Sequence, residues 1–384
     1  MSVLNLLLKI QRKVVPNTTA FSLDLNRDKE VLWKFGEPRD DIERSFFQYK
    51  CQMRGRKWYV RVSIQFVSLI MLIYYVVLKR KNKKEQHKQK KIDAIFLSEL
   101  KNTIVPEELK SEYHMLQLTN YRQCGTYVGF DDMIVKEMFR RYPFSFYFLF
   151  KCWAKIMIYQ DVINLYSPKA IICSAEYSFT SSILTKYCEE KHVVHINVMH
   201  GEKLFLIRDS FFRFSKCYIW DEYYKQLFIK LRADADQFCV AVPKSLLFDS
   251  AGIEKDQKRR YTYYLGGETE TEVKVILTTL RKLANPSEIV LRPHPLYIDS
   301  LKSVRESGFF IENPFEITIE ESISNTNAAI SLYSTVLQQA YFNNTEVIID
   351  DVSFPQNYKK LQELEYIMLG KKHKLLSELI QTRI

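Results

Sequence analysis

The stretch PKAIICSAEYSFTSSILTKYCEEKHVVHINVMHG, Pro168–Gly201, decides the fold. Its two ends are short apolar runs rich in β-forming residues, and the segment between them is predicted to be helical. A strand, a helix and a strand at this spacing form a βαβ unit, which places two parallel strands in one sheet. The first strand ends on Glu176 and the second on His200, so both side chains are expected at the carboxyl edge of the same sheet.

Alternating strands and helices continue on both sides of this stretch. In the first series, a strand is predicted at 92–98, a long aromatic helix at 144–166, and a further strand and helix within 216–228. In the second series, strands are predicted at 261–267, 288–295 and 346–351, with a strand, a turn and a helix within 309–326 and a strand that runs into a helix at 328–335. The linker between the series is 249–260. The fold class is therefore α/β, with two Rossmann-like doubly wound domains facing a cleft. The predicted division is an N-terminal helical, membrane-associated region at 1–91 and domains at 92–250 and 251–384.

The N-terminal region joins an apolar segment to a basic one. Val62–Leu78 has no charged residue, and the run KRKNKKEQHKQKK at 79–91 holds eight Lys or Arg and one Glu, which is most of the net charge of +11. Each lysine near an anionic lipid surface contributes about 1 kcal/mol to binding. We therefore expect a helix that lies in or against the inner leaflet at the cytoplasmic face, as a peripheral or monotopic protein. A spanning helix and a buried core helix are the alternatives.

The sequence does not indicate a nucleic-acid-binding surface or a signal peptide. Because the basicity is confined to one run, a nucleic-acid-binding surface spread over the fold is not indicated. The apolar stretch lies far from Met1 and no small-residue cleavage site follows it, which argues against a signal peptide.

The seven cysteines form no C-x-x-C pair. They are expected to be reduced and mostly buried, in a protein whose catalytic part faces the cytosol.

Several patterns of enzyme chemistry are missing from the sequence. It has no P-loop, no G-x-S-x-G elbow, no H-E-x-x-H pair and no G-x-G-x-x-G after the first strand. The one D-x-D, Asp234–Asp236, follows a predicted helix, and Asp350–Asp351 lacks that spacing. We therefore expect chemistry that needs neither a metal nor a cofactor apart from the donor substrate.

Two motifs in the second series are suited to binding phosphate. In RPHP, Arg292 and His294 lie on the same side of a strand end, and the prolines fix the direction of the turn. In LYST, Ser334 and Thr335 follow a buried strand and open a helix, where hydroxyls and backbone N–H groups can bind an anion or simply cap the helix. Gly266–Gly267 ends a neighbouring strand, so these residues are expected to form a nucleotide site.

HGEKL, at 200–204, offers the candidate general bases. His200 ends a strand and Gly201 permits a sharp turn. A neutral His200 or an ionised Glu202 could take a proton from an acceptor hydroxyl. Glu176 could do the same or orient His200, and Glu202 could also be a solvated loop charge.

Taken in order, RPHP, NPFEI and LYST resemble the C-terminal half of bacterial sialyltransferases of the two-Rossmann-domain (GT-B) type. Those enzymes carry an HP motif, often a Pro-x-Glu element, and a Ser-Ser/Thr motif, all contacting CMP. The matching positions are His294–Pro295, Pro314–Glu316 and Ser334–Thr335. The resemblance covers about residues 260–355, and the preceding domain is similar only in architecture.

The first domain departs from that pattern. Sialyltransferases of this type usually hold their base in an acidic motif that ends in glycine, whereas FDDM at 130–133 has the acids without the glycine. HGEKL instead resembles the HG motif of teichoic-acid-type CDP-alcohol phosphotransferases, which also have an HP element and a YSS-like one. Both families use cytidine nucleotides at the cytoplasmic face of the membrane.

The resemblance implies an inverting, metal-independent glycosyltransferase that moves sialic acid from CMP-sialic acid to a lipid-linked surface glycan, such as a capsule, O-antigen or lipooligosaccharide. His294, with Arg292, would neutralise the leaving phosphate, and Glu316 would bind the ribose or the base. Ser334 and Thr335 would hold the phosphate, and His200, Glu202 or Glu176 would deprotonate the acceptor hydroxyl.

Three alternatives remain open from the sequence. A CDP-polyol phosphotransferase and a CMP-Kdo transferase belong to the same broad class, and a degenerate membrane scaffold without activity is the non-enzyme alternative. The expected partners are a CMP-activated donor, a lipid-linked oligosaccharide acceptor and an anionic inner-membrane surface, without nucleic acid.

Overall fold

The computed structural model describes residues 25–78, 91–119, 129, 132–248, 260–295 and 302–382. The chain forms two units: unit 1 contains the residues up to His200 together with Phe205–Ala241, and unit 2 contains Gly201–Leu204 and the residues from Val242 onward. Most of the basic run, the first two residues of FDDM, most of the 249–260 linker and Cys124 lie outside the described residues.

Unit 1 is built on a six-stranded parallel sheet of order β2-β1-β3-β4-β5-β6. Its strands are Ala94–Leu97 (β1), Met115–Leu118 (β2), Ala170–Cys173 (β3), Val194–Val198 (β4), Lys216–Ile219 (β5) and Phe238–Val240 (β6). From β1 the chain first moves to the β2 edge and then returns to add β3 to β6 on the other side. This reversal makes the sheet doubly wound, with its topological switch point between β1 and β3.

Eight helices accompany this sheet within the described part of unit 1. They are Leu25–Lys34 (α1), Asp41–Arg54 (α2), Trp58–Leu78 (α3), Glu107–Glu112 (α4), Met133–Arg141 (α5), Phe146–Tyr166 (α6), Ser181–Glu190 (α7) and Glu222–Lys230 (α8), with 3₁₀ turns at Asn102–Ile104, Ile207–Asp209 and Ala235–Gln237. Helix α6 lies at the centre of the core, where Phe148, Trp153 and Ile156 are fully buried. An apolar surface on several sides of a helix is typical of such a buried position.

Unit 2 has a second six-stranded parallel sheet, of order β12-β11-β10-β7-β8-β9. Its strands are Tyr261–Tyr264 (β7), Ile289–Arg292 (β8), Phe310–Ile311 (β9), Ala328–Ser331 (β10), Glu346–Ile349 (β11) and Lys374–Leu375 (β12). Renumbered from β7, this is the Rossmann order 3-2-1-4-5-6, whose switch point lies between β7 and β10. The helices are Glu270–Leu283 (α9), Lys302–Arg305 (α10), Ile319–Asn325 (α11), Thr335–Phe342 (α12), Pro355–Glu363 (α13) and Leu376–Gln381 (α14), with 3₁₀ turns at Pro286–Glu288 and Ile367–Gly370.

The two doubly wound α/β domains that the sequence predicts are confirmed. The division of the chain differs from the predicted one, because the N-terminal helices pack as part of unit 1 instead of forming a separate region. Helix α2 packs against α7, and α3 packs against α6. One apolar side of α2 and one apolar side of α3 are therefore buried in the same core that supports the sheet.

Helix α3 contains the apolar segment predicted to meet a membrane. Among the described helices it is the one long and apolar enough to cross a bilayer, with a mean hydropathy of 1.3 over Trp58–Tyr75, and 28% of that window is buried in the protein. Length and composition alone do not separate a spanning helix from one that lies on a surface.

The cysteines of the described chain agree with the expected reduced thiols. Cys51, Cys152, Cys173, Cys188 and Cys217 are free and buried, and Cys239 is free and half-buried. Burial raises the pKa of the Cys51 thiol to about 11. Such a thiol stays protonated near neutral pH and is a poor nucleophile.

A fully buried histidine ties β4 to the helices that cover it. His195 Nδ1 lies 2.8 Å from Thr185 Oγ1, and its Nε2 lies 3.0 Å from the hydroxyl of Tyr159. Burial, with a smaller effect of Lys155, lowers the pKa of His195 to about 3. The imidazole is therefore neutral in the folded protein at physiological pH.

This histidine predicts a pH dependence of stability. An unfolded histidine has a pKa of about 6.5. Below that pH, His195 therefore binds a proton in the unfolded state but stays neutral in the folded state. We expect the free energy of unfolding to fall as the pH is lowered from 6.5 towards 3, with a contribution of up to about 1.4 kcal/mol per pH unit. Urea denaturation at a series of pH values measures this slope. In His195→Gln the slope should be smaller, and an unchanged slope would contradict the account.

Candidate functional site

Three polar side chains meet where β3 and β4 end in unit 1. Ser174 Oγ lies 2.5 Å from Nδ1 of His200, and the carboxylate Oε1 of Glu176 lies 3.5 Å from the same nitrogen. Ser174 Oγ also donates a hydrogen bond of 2.8 Å to the carbonyl of Val198. The structure thus brings together two of the candidate bases, Glu176 and His200, beside the β1/β3 switch point.

The hydrogen bonds determine which nitrogen of neutral His200 carries the proton. The Ser174 hydroxyl has one proton and donates it to the Val198 carbonyl, so its oxygen must accept from Nδ1–H of His200. The nearby Glu176 carboxylate favours the same tautomer. A neutral His200 therefore has its proton on Nδ1 and its basic lone pair on Nε2, which is the state that a general base requires.

The turn that carries Glu176 is held by other buried groups. The backbone N–H of Ala175 donates to Oδ1 of Asn197, on β4, over 2.8 Å. Gln48, on α2, donates from Nε2 to the carbonyls of Glu176 and Arg208 at 3.0 and 3.1 Å. Helix α2 therefore helps to fix the position of the site.

Glu176 and His200 differ in the solvent exposure of their side chains, which indicates different roles. The side chain of Glu176 is 1% exposed, whereas that of His200 is 27% exposed. A buried carboxylate beside the inner nitrogen of a half-exposed imidazole can orient it and stabilise its protonated form. This geometry favours Glu176 as a residue that positions His200 over Glu176 as the base itself.

Glu202, the third candidate base, belongs to unit 2 together with Gly201–Leu204. Its carboxylate lies close enough to the buried hydroxyl of Tyr366 to raise the pKa of that hydroxyl. Burial first, and then the charge of Glu202, raises the pKa of Tyr366, while the backbone N–H of Ser334 acts in the opposite direction. The ring of Tyr366 packs edge-on against Tyr333, with centroids 5.1 Å apart. Glu202 is thus placed near the start of α12 and is half-buried.

The start of α12 is one side of the unit 2 switch point. Ser334 is the N-cap, and its hydroxyl accepts a hydrogen bond of 3.2 Å from the backbone N–H of Val336. Thr335 is the first helical residue. The first turn of a helix presents backbone N–H groups and a positive end of its dipole, which suit a phosphate.

The end of β7 is the other side of that switch point. Gly266 and Gly267 follow the strand, and the backbone N–H of Gly266 donates to Oε2 of Glu268 over 2.6 Å. Burial raises the pKa of Glu268, although backbone N–H groups oppose this shift. The glycine pair is therefore placed where the sequence predicts it, with an acidic side chain folded back onto it.

Arg292 is not presented to a phosphate in this structure. Its guanidinium is buried, forms an ion pair with Glu312 and donates a hydrogen bond of 2.8 Å to the carbonyl of Ile317. Strand pairing explains the contact, since Arg292 and Glu312 follow the paired residues Leu291 and Ile311. The arrangement favours a structural role in place of the phosphate contact expected from the sequence.

His294 and Glu316 both lie at the surface of unit 2. His294 is exposed two residues beyond the end of β8. Glu316 is exposed and accepts a hydrogen bond of 2.8 Å from Asn313 Nδ2. Neither position conflicts with ligand binding, so the roles expected for the two residues stay predictions.

Three further residues belong to these sites and were missed in the sequence. Ser174 contacts His200, Glu268 contacts Gly266, and Tyr366 lies near Glu202. The first two lie within two residues of Glu176 and Gly266, so their position at strand ends was a usable signal. Tyr366 is distant in sequence from its neighbours and carries no local pattern. Among the described residues, no group of three or more His, Cys, Asp or Glu side chains is arranged to hold a metal ion.

Compared by sequence, the chain matches no known family profile and no curated protein. Compared by structure, it is similar to the wall teichoic acid polymerase TagF, with 12% identity and a TM-score of 0.46 over 83% of this chain and 87% of that one. It is also similar to the UDP-GlcNAc 2-epimerase of Methanocaldococcus jannaschii, with 13% identity and a TM-score of 0.40 over 74% and 94% of the two chains. Anabaena Alr3699/HepE in complex with UDP gives 8% identity and a TM-score of 0.41 over 76% and 98%. At these sequence identities and TM-scores, the similarities concern the fold alone and carry no functional argument.

Proposed function

We propose that the protein is a metal-independent transferase that moves a group from a cytidine nucleotide to an acceptor hydroxyl, with His200 as the general base. The observation that carries the proposal is the arrangement of Ser174, Glu176 and His200. It places the imidazole proton on Nδ1 and the basic lone pair on Nε2. General base catalysis by a positioned side chain contributes about 10²–10⁴-fold to a rate.

The donor would bind to unit 2, at the switch point between β7 and β10. Ser334, Thr335 and the Gly266–Gly267 pair lie at the carboxyl ends of these two strands, where open α/β sheets bind their ligands. His294 would neutralise the phosphate of the departing nucleotide, and Glu316 would bind the ribose or the base. Arg292 is left out of this set because it is paired with Glu312.

For the donor, our first candidate is a CMP-activated acidic sugar such as CMP-sialic acid. The support is the order of His294–Pro295, Pro314–Glu316 and Ser334–Thr335, which resembles the CMP-contacting motifs of sialyltransferases. The reaction would invert the anomeric carbon, because one base activates the acceptor for a single displacement. The acceptor would be a lipid-linked surface glycan at the cytoplasmic face of the membrane.

A CDP-polyol phosphotransferase is the second candidate, and the nature of the base favours it. At the end of β4 the structure presents a histidine followed by glycine, with the acidic residue buried behind it. This matches the HG motif of teichoic-acid-type phosphotransferases better than an acidic base motif. The chemistry at His200 would be the same, while the attacked atom would be phosphorus instead of an anomeric carbon.

The two candidates are separated by the donor that supports turnover, because both reactions release CMP. The full-length protein is incubated in EDTA with CMP-sialic acid, CMP-Kdo or CDP-glycerol and with a membrane extract as the source of acceptor, and the released CMP is measured. Release with one CMP-sugar supports the first candidate, and release with CDP-glycerol supports the second. Release with none of them, by a folded protein, would contradict the proposed function.

Ser334→Ala is expected to weaken nucleotide binding by about tenfold or more, because hydrogen bonds to charged groups contribute about 1.5–3 kcal/mol. Calorimetric titration with the preferred nucleotide measures the effect. Thr318→Ala is the matched control, since Thr318 is the N-cap of α11 in the same unit. Both changes remove an N-cap, so equal nucleotide affinity in the two variants would show that Ser334 does not contact the ligand.

A further inference from the structure

Helix α3 presents one wholly uncharged face to the outside of unit 1. Trp58, Val62 and Phe66 are 71%, 60% and 64% exposed, and the other large apolar side chains exposed on α3 are Tyr59, Val67, Ile70, Ile73 and Tyr74. At 3.6 residues per turn these eight positions, here called the α3 face, cover about half of the helix circumference. Ser63 lies on the same side of the helix, and its hydroxyl donates to the carbonyl of Tyr59 over 2.8 Å. The other polar atoms of the face are the indole N–H of Trp58 and the hydroxyls of Tyr59 and Tyr74, towards its two ends.

The opposite side of the same helix is fixed to the protein. Val60, Ile64 and Leu72 are buried in the unit 1 core. Gln65 accepts a hydrogen bond of 3.0 Å from the backbone N–H of Tyr147 and donates one of 2.5 Å to the hydroxyl of Tyr49. A helix held along one side by the core of unit 1 cannot expose its whole circumference to lipid.

An apolar groove continues the α3 face between α3, α5 and α6. Its volume is about 250 Å³, and its lining residues are Leu69, Leu72, Ile73, Phe139, Pro143, Phe146 and Leu149. Ile73 belongs to both the groove and the face. The groove thus extends the apolar surface of the helix into the protein, in a shape that suits a hydrocarbon chain.

Charge and aromatic residues at the ends of α3 identify the occupant. Arg56 and Lys57 precede the helix, and the basic run at 79–91 follows it in the sequence. Trp58 and Tyr59 lie at one end of the face and Tyr74 lies near the other, and such amphipathic rings favour the level of lipid headgroups. Basic residues that flank an apolar face are complementary to an anionic leaflet, whereas a second copy of this chain would bring like charges together.

We infer that the α3 face and the groove beside it bind the acyl chains of an anionic lipid leaflet, with α3 lying parallel to the membrane surface. The side of the helix that packs on α6 faces the protein, and the α3 face enters the boundary between headgroups and acyl chains. The protein is then monotopic, and α3 does not cross the bilayer. This inference does not depend on the proposed transferase activity, since it uses none of the residues at the two switch points.

Vesicle flotation of the full-length protein tests the surface. Wild type is expected to float with vesicles that contain phosphatidylglycerol and to float less with phosphatidylcholine alone. Val62→Glu/Phe66→Glu/Ile70→Glu should reduce the bound fraction by about tenfold or more, because each change places a charge on the face that enters the lipid. The matched control is Val240→Glu/Leu247→Glu/Val275→Glu, which alters three exposed apolar residues that are not part of α3 and should bind like wild type.

Depth-dependent quenching by brominated lipids tests the orientation. Trp58 and a reporter Ile70→Trp in a Trp58→Phe background are about 18 Å apart along the helix axis. A helix lying on the membrane places both at the same depth, whereas a spanning helix places the second near the bilayer centre. A further reporter, Leu69→Trp in the same background, should be quenched by lipids brominated along their acyl chains if such chains enter the groove.

Three results would overturn the inference. One is unchanged vesicle binding by the triple variant, in which the α3 face is charged. Another is different quenching depths at positions 58 and 70. The third is a wild-type protein that does not bind vesicles but forms an oligomer that the triple variant does not form. The α3 face would then bind a second copy of the chain.

Discussion

His200→Ala is expected to lower the kcat of group transfer by about 10²–10⁴-fold while leaving the affinity for the nucleotide donor nearly unchanged. The reason is that Nε2 of His200 carries the basic lone pair, whereas the donor site proposed here lies on unit 2. Single-turnover transfer measures the chemical step, and calorimetry measures donor binding. His114→Ala, at an exposed histidine of the same unit, is the matched control and should keep both values.

Variants of the two supporting residues distinguish a positioned base from a merely folded site. Glu176→Gln removes the charge beside Nδ1 and keeps the shape, so we expect kcat to fall by about tenfold. The acid limb of the kcat/KM profile should also move to lower pH, because the nearby negative charge no longer favours the imidazolium. Ser174→Ala should lower kcat without moving that limb, since it removes a neutral contact. Full activity in His200→Ala would show that another group takes the proton.

Arg292→Met is expected to reduce the free energy of unfolding of unit 2 by about 3–5 kcal/mol. The change leaves the carboxylate of Glu312 buried without its charge partner and leaves the carbonyl of Ile317 without its donor. Chemical denaturation followed by a probe on unit 2 measures the loss. The double variant Arg292→Met/Glu312→Leu should recover most of it, because replacing both members of a buried pair by apolar residues is often neutral or stabilising.

The double variant also tests the role that the sequence assigns to Arg292. If the guanidinium is structural, the double variant folds and binds the nucleotide as tightly as wild type does. If Arg292 instead exchanges Glu312 for the donor phosphate, the folded double variant loses nucleotide affinity. The second result would contradict the structural assignment and return Arg292 to the binding site.

The long apolar patterns were sufficient to predict both sheets. Strands β3 and β4 are buried runs within the βαβ stretch, and the predicted helix at 144–166 is α6, Phe146–Tyr166. Strands β2, β6 and β12 were missed because they are short, two to four residues, and none is fully buried. A strand at the edge of a sheet lacks the continuous apolar run that identifies a central strand.

The candidate site was predictable in part. Position at a strand end identified Glu176, His200 and Ser334, because this property is local in the sequence. The pairing of Arg292 with Glu312 depends on the register between β8 and β9, which no pattern in either strand specifies. In α3 the composition showed an apolar helix, but only the packing on α6 shows which side is buried.

Calorimetric titration of the full-length protein with CMP, CDP, UDP and GDP, in EDTA, tests the central claim most directly. The account predicts selective binding of a cytidine nucleotide that Ser334→Ala weakens and His200→Ala leaves intact. Selective binding of UDP or GDP, or no binding of any nucleotide by the folded protein, would contradict it.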